Sequence, residues 1–172
     1  MSATIDKILD AAEDAMRLRG YHAVSFRDLA DTLGIKSASV HYYFRQKEDL
    51  GCALVTRYAD RFFAALDDTP ADTRLAAYCA TYRAALRGSD RICLCGILGA
   101  ESCGLPDELH NAVQSFFQRN LEWLRRECAS ESEAAHILSS MQGAMMLAQA
   151  MGDYALFDQV VTEILTQRAT DP

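Results

Sequence analysis

Proline is scarce in this sequence, with three in 172 residues, at Pro70, Pro106 and Pro172, and none falls inside a long periodic segment. Helices are therefore free to run uninterrupted. No Asn-Gly or Asp-Gly pair marks a tight hairpin and strand-like alternation is rare, which argues against a sheet. No apolar run approaches the roughly 20 residues that span a bilayer, so no membrane helix is expected. The stretch Met1 to Lys7 lacks the basic and apolar regions of a secretory signal, which makes the cytoplasm the expected location. Catalytic signatures are missing too: there is no His-Glu-x-x-His, no glycine-rich phosphate loop and no Gly-x-Ser-x-Gly elbow. Glu101, Asp107 and Glu108 near His110 are explained as solvated helix ends. The expectation is no enzyme, no cofactor and no bound metal.

Net charge is −7, which at first sight disfavours nucleic acid. The acidity is uneven, however. Residues 1–52 carry a net −1 and residues 53–172 a net −6, while Arg27, Lys36, Arg45 and Lys47 outweigh Asp28 and Asp31 within 27–47. Local field, not total charge, steers a protein to phosphate. Six cysteines occur, at 52, 79, 93, 95, 103 and 128. In a cytosolic chain with a sizeable core they are expected as thiols.

What is present is helical periodicity from end to end, giving an all-α fold of about nine helices. The spacing predicts helices over about 4–19, 26–33, 38–44, 48–66, 71–86, 91–103, 106–127, 132–151 and 154–167. Gly20 closes the first, and Asp67 to Pro70 end the fourth. Pro106 suits the first turn of its helix.

The segment from Phe26 to Phe44 carries the main signal. Two short helices crossing steeply need a small residue at their contact, a residue tolerant of positive φ in the turn, and apolar residues to join them. Ala30 supplies the first, Gly34 the second, and Leu29, Leu33, Ile35 and Val40 the third. Ser37 is expected to cap the second helix. That helix would present Ser39, His41, Tyr42 and Tyr43 to a groove, with Lys36 and Lys47 flanking and Arg27 reaching the backbone.

The stretch Gly20 to Leu50 resembles the N-terminal signature of TetR-family transcription regulators. Its parts are the closing glycine, Ser25-Phe26, the Leu29-Ala30 pair, the Gly34-Ile35-Lys36-Ser37 turn, the aromatic cluster ending at Phe44, and Lys47-Glu48 with Leu50. The resemblance implies a three-helix head, residues 1–50, that binds DNA. It also implies a body, residues 51–172, that binds a ligand and dimerises. Contacts to the DNA fall on Arg27, Lys36, Ser37, Ser39, His41, Tyr42, Tyr43 and Lys47. His41 stands where the family more often has tyrosine, and Tyr43 where histidine is common.

For the body, the resemblance implies that the last two helices meet a symmetry mate. Met141, Ala144 and Ala148 on one, with Phe157, Val160, Val161 and Ile164 on the other, form the expected dimer interface. An apolar pocket is expected among Tyr78, Tyr82, Cys93, Leu98, Phe116, Phe117, Trp123 and Met145, residues that suit an ordinary core equally well.

Around Cys93, Cys95 and Cys103 three readings stand: a metal site with His110, disfavoured by the Cys-x-Cys spacing; a reactive Cys93 at a helix start near Arg91; and small-residue packing. The resulting expectation is a repressor that binds a near-palindromic operator as a homodimer and is released by a small effector, an electrophile or oxidant at Cys93 being one form. A helical activator without a ligand is the alternative, and an all-helical enzyme a more distant one.

Overall fold

The computed structural model describes residues 3–67 and 69–170. Met1, Ser2, Asp68, Asp171 and Pro172 lie outside the described residues. These residues form nine α-helices: α1 (Ala3–Arg19), α2 (Phe26–Leu33), α3 (Ser37–Tyr43), α4 (Lys47–Asp67), α5 (Arg74–Ser89), α6 (Leu94–Ala100), α7 (Asp107–Leu124), α8 (Glu131–Met151) and α9 (Ala155–Thr170). Two 3-10 turns, Ala71–Thr73 and Ser102–Gly104, precede α5 and follow α6. No strand occurs among the described residues. Backbone contacts divide the chain into two compact units, residues 1–60 with 94–116, and residues 61–93 with 117–172.

In the first unit α1 turns Ile8, Leu9, Ala12 and Met16 inward, all at most 2% exposed. Gly20 ends the helix at φ 77°, a left-handed conformation that a β-carbon disfavours. Charged groups are built into the seam between α1 and α4. Arg57 reaches the Asp10 carboxylate at 2.8 Å, Glu13 at 3.6 Å and the Asp6 carbonyl at 3.4 Å. Arg17 lies 3.6 Å from Glu13, and both are buried.

Helix α2 starts on a capping box. The Ser25 hydroxyl accepts from the Asp28 N–H at 3.2 Å, and the Asp28 carboxylate accepts from the Ser25 N–H at 3.0 Å. The Ser25 hydroxyl, which also donates to the Asp28 carboxylate at 2.7 Å, and then the Ser25 N–H hold the Asp28 carboxyl below its ordinary pKa. A depressed carboxyl contributes stability above its unfolded pKa and loses it as pH falls through the folded one. Replacement of Ser25 by alanine should lower the unfolding free energy by about 1 kcal/mol in urea titration. An unchanged midpoint would show that the cap is not used.

The second unit is built from α5, α8 and α9 with the last turns of α4 and the second half of α7. Helix α8 packs along α9, burying Ile137, Met141, Met145 and Ala148 on one side and Phe157, Val161 and Ile164 on the other. Asp158 on α9 receives Arg83 at 2.8 Å and also Arg87, tying α9 to α5. Inside, Tyr78 stacks on Trp123 at 5.2 Å, and Phe62 meets Tyr78 and Tyr82 edge-on. Asn120 is fully buried among them and its side-chain oxygen accepts from Tyr78 at 2.9 Å and from Tyr82 at 3.2 Å. Gln142 donates to the Tyr82 hydroxyl at 3.1 Å.

Candidate nucleic-acid interface

Two hydrogen bonds close the turn between α2 and α3. Gly34 sits at φ 65°, its N–H donates to Asp31, and the Ile35 N–H donates to Ala30 at 3.0 Å. Positive φ at that position is the reason for glycine. Ala30 and Leu29 are 1% exposed and Val40 of α3 is fully buried, so the two helices share an apolar contact.

Ser37 does not cap α3. Lys36 occupies the cap position with extended backbone and no side-chain hydrogen bond, and Ser37 is the first helical residue. The hydroxyl is thereby left out of the cap that its position in the turn suggested.

The outward face of α3 is led by Tyr42, 82% exposed, the most exposed large hydrophobic side chain among the described residues. Its ring rests edge-on against Tyr43 at 5.0 Å. His41 is exposed but leans on the Phe26 ring at 4.7 Å, which fixes its orientation. Arg27 and Lys36 are exposed, and Ser37, Ser39 and Tyr43 half-buried. Two neighbours that sequence reasoning left out share this surface: Ala38, one turn before Tyr42, and Arg45, just beyond α3. Their signal was available, since i,i+4 spacing puts Ala38 beside Tyr42 and Arg45 belongs to the local basic excess.

Lys47 is placed differently from expectation. Its ammonium donates to the Tyr21 carbonyl at 3.2 Å and lies 4.2 Å over the Tyr21 ring. Burial lowers its pKa, with Glu101 acting in the opposite direction. The side chain is occupied in holding the end of α1 to the start of α4, and this contact competes with any role at phosphate.

Residues 8–53 match the family profile described as bacterial regulatory proteins, tetR family. The chain is 30% identical over 154 residues to the transcriptional regulator AcuR of Cereibacter sphaeroides, covering 83% of this chain and 68% of that one. The chain belongs to the TetR family. It is similar in structure to a TetR regulator from Legionella pneumophila, with TM-score 0.89 and 28% identity, over 97% of this chain and 98% of the other. A TetR-family regulator from Agrobacterium tumefaciens gives TM-score 0.86 and 26% identity, over 95% and 96%. It is accordingly a transcriptional regulator with a DNA-binding helix-turn-helix, not an enzyme.

The other residues singled out in this TetR-family chain fall into place less evenly. Met141, Ala148 and Phe157 are fully buried within the protomer, and Ala144, Val161 and Ile164 nearly so. Val160 is half-buried. Their stripes face the protomer's own core. The opposite face of α8 is the open one: Met146 is 56% exposed, Leu147 51% and Met151 68%, with exposed Ala150 between Leu147 and Met151 and half-buried Gly143 one turn before Leu147.

Of the residues expected to line a pocket, Tyr78, Tyr82, Cys93, Leu98, Phe116 and Met145 are at most 1% exposed, and Phe117 and Trp123 half-buried. Leu98 and Phe116 belong to the first unit and the other six to the second. A groove of about 150 Å³ between α8 and α9 is lined by Glu133, His136, Ile137, Ile164, Gln167 and Arg168, none of them among those residues.

Cys93 sits at the N-terminal edge of α6. It directly precedes Leu94 and is fully buried, and the Arg91 guanidinium donates to the Asp90 carbonyl. Cys95 is also buried whereas Cys103 is exposed. Among the described residues no group of three or more His, Cys, Asp or Glu is arranged to hold a metal.

Proposed function

We propose that this regulator is a cytoplasmic repressor that binds a near-palindromic operator as a homodimer and is released by a small, non-covalently bound effector. One observation carries the DNA-binding part: Tyr42 stands 82% exposed on α3, with Arg27, Lys36, Arg45 and His41 exposed around it. An exposed ring flanked by cations and a histidine is available for a polyanionic partner to cover. Residues 1–50 then serve as the DNA-binding domain and 51–172 as the ligand-binding and dimerisation domain. Arg27, Lys36 and Arg45 would meet phosphate, while Tyr42, Tyr43, His41, Ser37 and Ser39 would approach base edges and sugar-phosphate. The direct test is retention of a fragment of the chain's own promoter. Affinity should fall steeply with salt, as counterion release requires. A flat salt dependence would overturn the reading.

The second copy is proposed to dock on the exposed face of α8. A run of Gly143, Met146, Leu147, Ala150 and Met151 without a charge is unusual on a water-facing helix. Small residues in that run permit close approach, and two-fold pairing matches a two-fold operator. Leu147→Glu should raise the dimer dissociation constant at least about tenfold by sedimentation, since it buries a carboxylate in each half of the interface. An unaltered dimer would place the interface elsewhere.

The effector is proposed to bind in the second unit beside Tyr78, Tyr82 and Trp123, where aromatic faces adjoin the polar groups of Asn120 and Gln142. A buried Cys93 offers no open thiol, which favours non-covalent binding over reaction with an electrophile.

A further inference from the structure

The corner where α1 ends is held from outside the helix-turn-helix. Tyr21, the residue after Gly20, donates its backbone N–H to Glu101 Oε2 at 2.8 Å, although Glu101 lies eighty residues further along the chain. From the other side Lys47 takes the Tyr21 carbonyl at 3.2 Å and covers the ring. Both backbone groups of Tyr21 and its aromatic face are thus engaged by two charged side chains.

Glycine at position 20 answers two demands. Its φ of 77° suits glycine, and a β-carbon there would stand 1.8 Å from Glu101 Oε1. The next residues of the same segment press on the same loop: a β-carbon on Gly104 would lie 3.0 Å from His22 Nε2. Residues 101–104 therefore grip residues 20–22. Only residues 20–25 link α1 to α2, so the conformation of this link sets the angle at which the α2–α3 pair leaves α1.

We infer that Glu101 is a positioning residue for operator binding: by accepting the Tyr21 N–H it fixes the corner that aims α3, without touching DNA itself. The inference rests on the reading that α3 enters the groove. A carboxylate accepting a part-buried N–H makes a strong, directional bond. Removing it leaves Tyr21 held from the Lys47 side alone, with its N–H released and more freedom to turn about Gly20, a residue with little conformational preference of its own. Affinity for one particular duplex geometry then suffers, whereas binding to phosphates in general does not, because the basic groups remain.

The experiment compares full-length wild type, Glu101→Ala and Glu101→Gln on the promoter fragment and on an unrelated duplex of equal length. Thermal melting and exchange of the Tyr21 amide by NMR are followed in parallel. Glu101→Ala should lose about tenfold or more in promoter affinity, the scale of one charged hydrogen bond, with binding to unrelated DNA within about twofold. The Tyr21 amide should exchange faster. Glu101→Gln retains an acceptor oxygen, so amide protection and most of the promoter affinity should return. Should Glu101→Ala fail to fold, Glu101→Asp keeps the charge but withdraws the acceptor by one methylene, and it should show a smaller loss of the same kind. Promoter affinity undiminished in a variant whose Tyr21 amide has lost protection overturns the inference. So does an equal loss on both duplexes, or no recovery with glutamine. Tyr42→Ala run alongside separates the two readings: if it loses the promoter while Glu101→Ala does not, only the positioning role fails. If neither loses it, the groove reading fails as well.

Discussion

Tyr42→Ala should weaken promoter binding by roughly 100-fold while leaving the melting temperature within a few degrees of the parent. The asymmetry follows from exposure. At 82% exposed the ring adds little to the fold beyond its edge contact with Tyr43, worth about 0.5–1.5 kcal/mol. In the groove the same ring offers a hydroxyl and an apolar face, and a well-placed base contact is worth about 1–3 kcal/mol. A dimer loses two such rings at once, so a hundredfold, or about 2.7 kcal/mol, is the low side of the expectation. Salt dependence distinguishes this loss from an electrostatic one. Tyrosine carries no charge, so the slope of log affinity against log salt should stay as in the parent. Arg45→Ala should instead flatten the slope by about one per half-site. Undiminished retention by a folded Tyr42→Ala protein would remove α3 from the interface.

Asn120→Leu should lower the unfolding free energy by roughly 2–5 kcal/mol, measured in urea, and the melting temperature by several degrees. Two tyrosine hydroxyls converge on one amide oxygen in a core where Asn120, Tyr78 and Tyr82 are all fully buried. Burial raises the Tyr78 pKa far above its ordinary value, so the phenol remains a neutral donor throughout the working pH range. Leucine fills similar space but accepts nothing, and each donor stripped of that acceptor costs about 1–3 kcal/mol. Adding Tyr78→Phe to Asn120→Leu should recover part of the loss, because removal of both partners leaves less polarity stranded. A double variant no more stable than Asn120→Leu would assign the cost to packing rather than to the lost acceptor.

The head was more readable in sequence than the body, for a physical reason. Ser25, Asp28 and Gly34 act on backbone within four residues of themselves, so the ends of α2 follow from local chemistry. At α3 the same logic misled, since a serine beside the turn resembles a cap while the extended backbone of Lys36 already fills that position. Helix α6 is shorter than its periodicity suggested. Asp90 adopts φ 54°, and the Ile92 N–H is taken by the Gln149 side chain at 3.3 Å, so helical hydrogen bonding starts only at Leu94. On α8 two faces are apolar, and periodicity alone does not say which one the protomer keeps for itself. Asn120 was legible in principle: it falls in phase with Val113, Phe116 and Leu124, which marks it as buried. Lys47 and Glu101 were not, because the Tyr21 groups they bind lie 26 and 80 residues away.

The part-buried charges between α1 and α4 have a mechanical consequence. Arg57 is pinned to three consecutive turns of α1 through Asp6, Asp10 and Glu13, with Arg17 closing the row. Sliding either helix by a turn would draw the mostly buried Arg57 guanidinium away from Glu13 and the Asp6 carbonyl, while the exposed Asp10 carboxylate stays in water. Whatever load reaches the head meets α1 and the first turns of α4 as one beam, and rotation is left to the short link beyond Gly20.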